Sequence, residues 1–175
     1  GEEIAKKTLN ARLGILGGIS ILGTRGTVVP FSSSAYMASI VQAISVAKEA
    51  GCDHLVITTG GRSEKYAMKQ YPHLPEEAFI EMGDFVGFTL KHIARKEIPN
   101  VSPVGTMGKF SKVAQAVMMV HSKSAPISLE FLASVAKKSG ATAEQVEEII
   151  NANTASQVGE IMQDTFAFFE ALCRN

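Results

Sequence analysis

The chain has 175 residues, 46% apolar and 19% charged, and its 17 cations balance its 17 anions. That length buries a sizeable core in one domain or a little more, and a net charge of zero supplies no field to recruit nucleic acid. No apolar run approaches the ~18 residues of a membrane span and no signal peptide opens the chain. Cys52 and Cys173 fall outside any CxxC or metal-ligand spacing, which fits a reduced, cytoplasmic protein with no metal site of its own.

The chain begins with Gly1 rather than Met, and residues 2–8 read as the end of a preceding helix, so a longer polypeptide is expected. From Gly14 to Pro30, apolar β-formers are interrupted by five glycines, with hydroxyls at Ser20, Thr24 and Thr27 and one cation, Arg25. Glycine weakens a strand interior, so such a run marks tight turns or backbone pressed close to a ligand. Residues 13–16 are read as a first strand entering the Gly17-Gly18 turn, and residues 27–29 as a second that Pro30 stops. Ser32-Ser33-Ser34 offers N-cap oxygens to a helix whose apolar face is Met37, Ile40, Ile44 and Ala47, with Gly51 as its C′ residue.

The same theme then recurs three times: a short apolar run, a glycine-bearing turn, a helical pattern. Residues 55–57 lead into Thr58-Thr59-Gly60-Gly61-Arg62, residues 79–82 into Gly83-Asp84, and residues 101–104 into Gly105-Thr106-Met107-Gly108-Lys109. The intervening helices are a short one near residues 63–70 and one lined by Val86, Leu90 and Ile93. A helix after Gly108 turns Phe110, Val113, Ala114 and Val117 inward, with Lys109 and Lys112 on its first turns. Strands alternating with helices predict β-α-β units and a parallel sheet, which puts the glycine turns on one sheet edge.

From Ser124 onward the strand signal disappears. Leu129, Leu132 and Val135 mark one helix ended by Gly140; Thr142 and Gln145 have capping-box spacing for a second. A third is read from residue 154 to 172 on Val158, Ile161, Met162, Thr165, Phe166 and Phe169. The fold class is therefore α/β: a Rossmann-like, mostly parallel sheet flanked by helices over residues 1–123, with a carboxy-terminal helical cluster, residues 124–175, packed on it.

Two nucleotide fingerprints are excluded. Gly17-Gly18…Gly23 lacks GxGxxG spacing, and the first glycine of a P-loop ending at Gly108-Lys109 would fall on Pro103. The glycines close tight turns, or they admit a ligand held by backbone amides at the strand ends. Asp84 suits a ribose hydroxyl or the dipole of the helix it opens. Arg62, past Gly60-Gly61, joins a cation to a helix start where a carboxylate or phosphate would bind, and Lys109 is similarly placed. His121 follows the helix after Gly108; His54, His73 and His92 are scattered. The residues alone point to a small anionic or nucleoside ligand at the strand ends.

Residues 12–24 (RLGILGGISILGT), Ile57-Thr-Thr-Gly-Gly-Arg-Ser-Glu-Lys65, Asp84-Phe-Val-Gly-Phe88, Gly108-Lys109 and His121-Ser122 together resemble the CbiD family, from about Gly1 to Thr154. Arg25 departs from it where a small residue is expected, as does Ser102-Pro103 in a strand usually more apolar. The family comprises cobalt-precorrin-5B C(1)-methyltransferases of anaerobic cobalamin (vitamin B12) biosynthesis, so the resemblance implies methyl transfer from S-adenosylmethionine to C-1 of a tetrapyrrole. Cobalt then arrives only as part of the substrate. The resemblance also implies an amino-terminal domain absent from this chain, with homo-oligomerisation left open.

Carried over, Gly17, Gly18, Ser20, Thr24, Thr59, Gly60, Gly61, Asp84 and Gly105 would hold the methyl donor. A precorrin bears many carboxylates, for which Arg25, Arg62, Lys65, Lys109 and Lys112 are the candidates. His121 is the candidate for the macrocycle cavity and for any catalytic role. A non-catalytic corrinoid-binding domain, and an α/β enzyme using another nucleotide, stand as the alternatives.

Overall fold

The computed structural model describes residues 2–5, 7–8, 10, 13–18, 32–121 and 126–175. The strand expected at residues 27–29, and the candidates Ser20, Thr24 and Arg25, lie outside the described residues. The chain divides into two compact units, Gly1–Val104 and Gly105–Asn175.

The first unit is an α/β layer. Its elements in order are α1 (Glu2–Ala5), α2 (Ser33–Glu49), β1 (His54–Thr58), α3 (Gly61–Gln70), β2 (Phe79–Glu81), α4 (Val86–Arg95) and β3 (Asn100–Val104). The three strands form one sheet in the order β2-β1-β3, and both pairings are parallel. Leu55, Val56, Ile57 and Thr58 of the central strand are all fully buried, as befits a parallel strand covered on both faces. The register sets Thr58 opposite Glu81 on one side and Val104 on the other, so all three strands end together.

Ser32 caps α2 as its position predicts, its hydroxyl accepting from the Ala35 N–H at 3.3 Å. Ile40, Ile44 and Ala47 form the buried face of α2, and Val86, Thr89 and Ile93 that of α4. Residues 13–16 form a turn, not the expected strand. The Leu13 and Ile15 N–H groups both donate to the Asn10 carbonyl (3.0 and 2.8 Å), and Gly14 and Gly17 take φ of +75° and +76°. Left-handed backbone ends extension however favourable the neighbouring side chains.

The second unit is helical: α5 (Met107–Val113), α6 (Leu129–Lys138), α7 (Ala143–Ile150), α8 (Ala155–Ile161) and α9 (Phe166–Arg174). Its core gathers Leu132, Ala136, Ile149, Val158, Met162 and Phe168. Helix α5 groups with these helices rather than with the α/β layer; Met107 packs where Gly159 of α8 carries no Cβ. The capping box predicted at α7 is complete, Thr142 accepting from Gln145 N–H at 3.1 Å and Gln145 from Thr142 N–H at 3.0 Å.

Two expectations fail here. The single helix read from 154 to 172 is two, broken where the Thr165 N–H donates to the Met162 carbonyl at 2.8 Å. The break changes the helical phase, burying Phe168 and Leu172 and leaving Phe166 78% exposed. Helix α5 stops at Val113, short of Val117, and Ala116 takes φ of +60°. Among the described residues no helix is long and apolar enough to cross a membrane.

Candidate functional site

The carboxyl edge of the sheet carries two tight turns. The first leaves β1 through Thr59-Gly60-Gly61 into α3. Gly60 holds φ +151° and ψ 169°, a region open only to glycine. Three bonds to one hydroxyl fix it: Ser63 Oγ accepts from Thr59 N–H (3.1 Å), lies 3.3 Å from Thr59 Oγ1, and donates to the Gly60 carbonyl (2.7 Å). Among the described residues, a Cβ built on Gly60 or Gly61 meets nothing within 4 Å, and no side-chain cap bond closes the start of α3. The first N–H groups of α3 have no intrahelical partner, as at any helix start. Arg62 and Lys65 are exposed on α3 at i and i+3, on one helical face.

The second turn, Met82 to Phe85, joins β2 to α4 and carries Asp84. The Met82 N–H donates to the Thr58 carbonyl at 2.8 Å, tying this turn to the end of β1. Gly83 takes φ of +58°, and a Cβ there would stand 3.1 Å from Cε1 and Oη of Tyr36. Tyr36, in the first turn of α2, donates its hydroxyl to the Glu81 carbonyl at 3.3 Å and packs its ring 5.8 Å from that of Phe85. Burial, reinforced by the carboxylates of Glu81, Asp84 and Glu64, pushes the Tyr36 phenol up to about 12.

The structure thus brings Thr59, Gly60, Gly61, Arg62, Lys65 and Asp84 to one edge of one unit. Gly17 and Gly18 follow a turn rather than a strand: the Leu13 carbonyl accepts from Gln42 of α2 (3.3 Å), and the Gly18 carbonyl from Asn10 (3.2 Å). Gly105, Lys109, Lys112 and His121 belong to the second unit. Lys112, expected on the first turns of its helix as a cation for substrate carboxylates, lies in the last turn of α5 and is buried. Its Nζ donates to the His121 carbonyl at 3.0 Å, pinning the segment after α5. His121 itself is exposed.

Sequence reasoning missed Ser63 and Tyr36. Ser63 had a signal, a hydroxyl one turn past a Gly-Gly pair. Tyr36 had none, because its partner Glu81 is 45 residues away. A broad cleft of about 490 Å³, lined by Met68, Tyr71, Leu74 and Phe79, opens at the other end of α3, away from the glycine turns.

A CbiD profile matches residues 1–30, and a profile of the CbiD C-terminal domain matches residues 119–175. The cobalt-precorrin-5B C(1)-methyltransferase of Geobacillus sp. (strain WCH70) is 73% identical over 175 residues, covering 99% of this chain and 48% of that protein. The chain belongs to the CbiD family. A second CbiD relative of the same printed name, from Priestia megaterium, matches at 73% over the same shares. A more distant one, from Thermus thermophilus, is 48% identical over 161 residues, 92% of this chain and 44% of that protein. The chain spans about half the length of the curated relatives it matches. No solved structure matches it.

Proposed function

We propose that this chain is part of an enzyme that transfers a methyl group from S-adenosylmethionine to C-1 of cobalt-precorrin-5B in cobalamin biosynthesis. The observation that carries the reading is 73% identity, across 99% of the chain, to two proteins named cobalt-precorrin-5B C(1)-methyltransferase. The uncapped start of α3 and the open backbone at Gly60 and Gly61 support the carboxyl edge as the donor's seat. Bound there, the donor supplies an electrophilic methyl on a sulfonium.

The residues of the chain then hold two reactants in line and keep water out, which is where a displacement gains most of its rate. Ser63 fixes the turn that meets the donor. Arg62 offers a planar fork to a carboxylate of the acceptor, and Lys65 a second cation one turn further on. Gly105, Lys109 and His121, carried over by the resemblance, lie in the second unit, where the Lys112 Nζ bond to the His121 carbonyl fixes the segment after α5. The cobalt belongs to the substrate, and the cytoplasm is the proposed compartment.

The test is the complete protein with methyl-labelled S-adenosylmethionine and cobalt-precorrin-5B. Label recovered at C-1 of the tetrapyrrole supports the reading. Corrinoid binding without transfer would instead favour a non-catalytic binding domain.

A further inference from the structure

Three exposed cations on α3 have no acid to balance them. Among the described residues, no carboxylate pairs with Arg62, Lys65 or Lys69. The buried stripe of α3 is Ser63 and Ala67. At about 100° per residue, Met68 falls on one side of that stripe, and Arg62, Tyr66 and Lys69 fall together on the other. Met68 lines the broad cleft with Phe79, so its flank faces β2. Helix α3 packs against all three strands, so the flank of Arg62, Tyr66 and Lys69 faces β3. Tyr66 is 58% exposed there.

A second observation, independent of charge, lies on the sheet beside that flank. β2 and β3 lie on opposite sides of β1, so two right-handed crossovers put α3 and α4 on opposite faces. Phe79 and Glu81 turn to the face of α2, which packs on α4, since they line a small cavity with Tyr36 and Ile40. Strand residues of the other phase therefore face α3. These are Leu55 and Ile57 of β1 and their register partners in β3, Val101 and Pro103. Leu55 and Ile57 are fully buried, whereas Val101 is 37% exposed and Pro103 is exposed. A parallel sheet is ordinarily covered on both faces. Among the described residues, an apolar floor is thus left open beside a wall that carries an aromatic ring and cations.

We propose that this strip, with Val101 and Pro103 as floor and Arg62, Tyr66 and Lys69 as wall, is the bed of the tetrapyrrole acceptor. The inference rests on the methyl-transfer reading above and deepens it by giving the acceptor a place. A precorrin is a conjugated ring with carboxylate arms at its rim. Its apolar face matches Val101, Pro103 and the Tyr66 ring, and its arms match the unbalanced cations. From Arg62 to Lys69 the helix rises about 10 Å, so the cations meet arms spread along one side of a ring rather than a single small anion. Arg62 directly follows the Gly60-Gly61 turn, so the strip begins where the donor is proposed to sit and the two reactants share one edge.

Calorimetry on the complete protein, with cobalt-precorrin-5B and S-adenosylhomocysteine as probes, tests the bed. Lys69→Glu should weaken the tetrapyrrole about tenfold and leave S-adenosylhomocysteine unchanged. Lys91→Glu, the same change at an exposed position of α4 across the sheet, should leave both unchanged. Tyr66→Ala should weaken the tetrapyrrole about tenfold, and Tyr66→Phe should restore it. The thiol introduced by Val101→Cys should react with a maleimide as the exposed Cys173 does, read by peptide mass, and be shielded once the tetrapyrrole binds. Equal losses for Lys69→Glu and Lys91→Glu, loss of both probes, no loss at all, or no rescue by Phe would each overturn the proposal. So would Tyr66→Ala lowering the melting temperature at unchanged affinity. A Val101→Cys thiol that is unreactive without ligand would show the strip covered by another part of the chain or a second copy, and would overturn it too. If the unaltered protein does not bind cobalt-precorrin-5B, the methyl-transfer reading itself fails; if it binds and methylates it and the variants bind equally well, only the bed fails.

Discussion

Gly83→Ala is the most informative single change at this edge. The backbone at position 83 takes φ of +58°, where an L-residue with a Cβ is disfavoured by about 1–2 kcal/mol. The new Cβ also stands 3.1 Å from Tyr36 Cε1 and Oη, so the ring must yield by a few tenths of an ångström. Tyr36 has little freedom to do so, being held by the Glu81 carbonyl and the Phe85 ring. Overpacking of this kind costs about 1–3 kcal/mol, and the reduced freedom of the unfolded chain offsets roughly 0.5 kcal/mol. The expected net loss is about 1.5–4.5 kcal/mol, read by urea unfolding of the complete protein. In a Tyr36→Leu background only the backbone component should remain, about 0.5–1.5 kcal/mol after the same offset, giving a coupling of about 1–3 kcal/mol in the double-mutant cycle. A cost below about 0.5 kcal/mol, or one identical in both backgrounds, would refute the idea that the tyrosine clamps this turn.

Gly60→Val should cost about 1–3 kcal/mol through φ alone, since its Cβ meets no atom of the described residues within 4 Å; in the folded variant, unchanged donor affinity by calorimetry would remove the donor from this turn. Arg62→Lys keeps the charge and loses the fork, so affinity for the carboxylate-rich acceptor should fall by an amount approaching the ~1.5–3 kcal/mol of a charge-assisted hydrogen bond; equal affinity and turnover would disprove a bidentate grip. Tyr36 is raised from 10.0 to about 12 in the folded protein. As pH rises from 10 to 12 the unfolded chain therefore loses its phenolic proton first. Stability contributed by the neutral phenol is full below pH 10 and drains across that window, so the melting temperature should fall less steeply there in Tyr36→Phe than in the unaltered protein.

The elements legible in the sequence are those whose signal is local. β1 announced itself as a continuous apolar run ended by glycines, and α7 by a hydroxyl and an amide three residues apart. Residues 13–16 misled because their β-formers promise a strand, while Gly14 and the following Gly17 set left-handed angles that composition does not show. The helix beginning near residue 154 misled because nothing in Gln163-Asp164-Thr165 forbids helix; the break is stabilised by burying Phe168 and Leu172. For the site, the Gly60-Gly61 turn and its Arg62 were readable from spacing. Lys112 was not, because a cation on a first turn reads as solvated, and its partner is a carbonyl nine residues on. The hold of Tyr36 on the turn after β2 was illegible for the same reason, since its partners Glu81 and Phe85 lie more than 40 residues away.

Side-chain capping is unevenly distributed along the chain. Ser32, Ser128, Thr142 and Thr154 each accept from the N–H three residues on, at the starts of α2, α6, α7 and α8. Helices α3, α4 and α5, each entered from a strand, have no such bond. Hydrogen exchange turns this contrast into a built-in reporter. The N3 amides of the capped helices should exchange slowly whether or not a ligand is present. First-turn amides of α3 should exchange fast in the free protein and slow when a ligand takes up their N–H groups, so protection gained at Gly61, Arg62 and Ser63 would read out occupancy of the edge residue by residue.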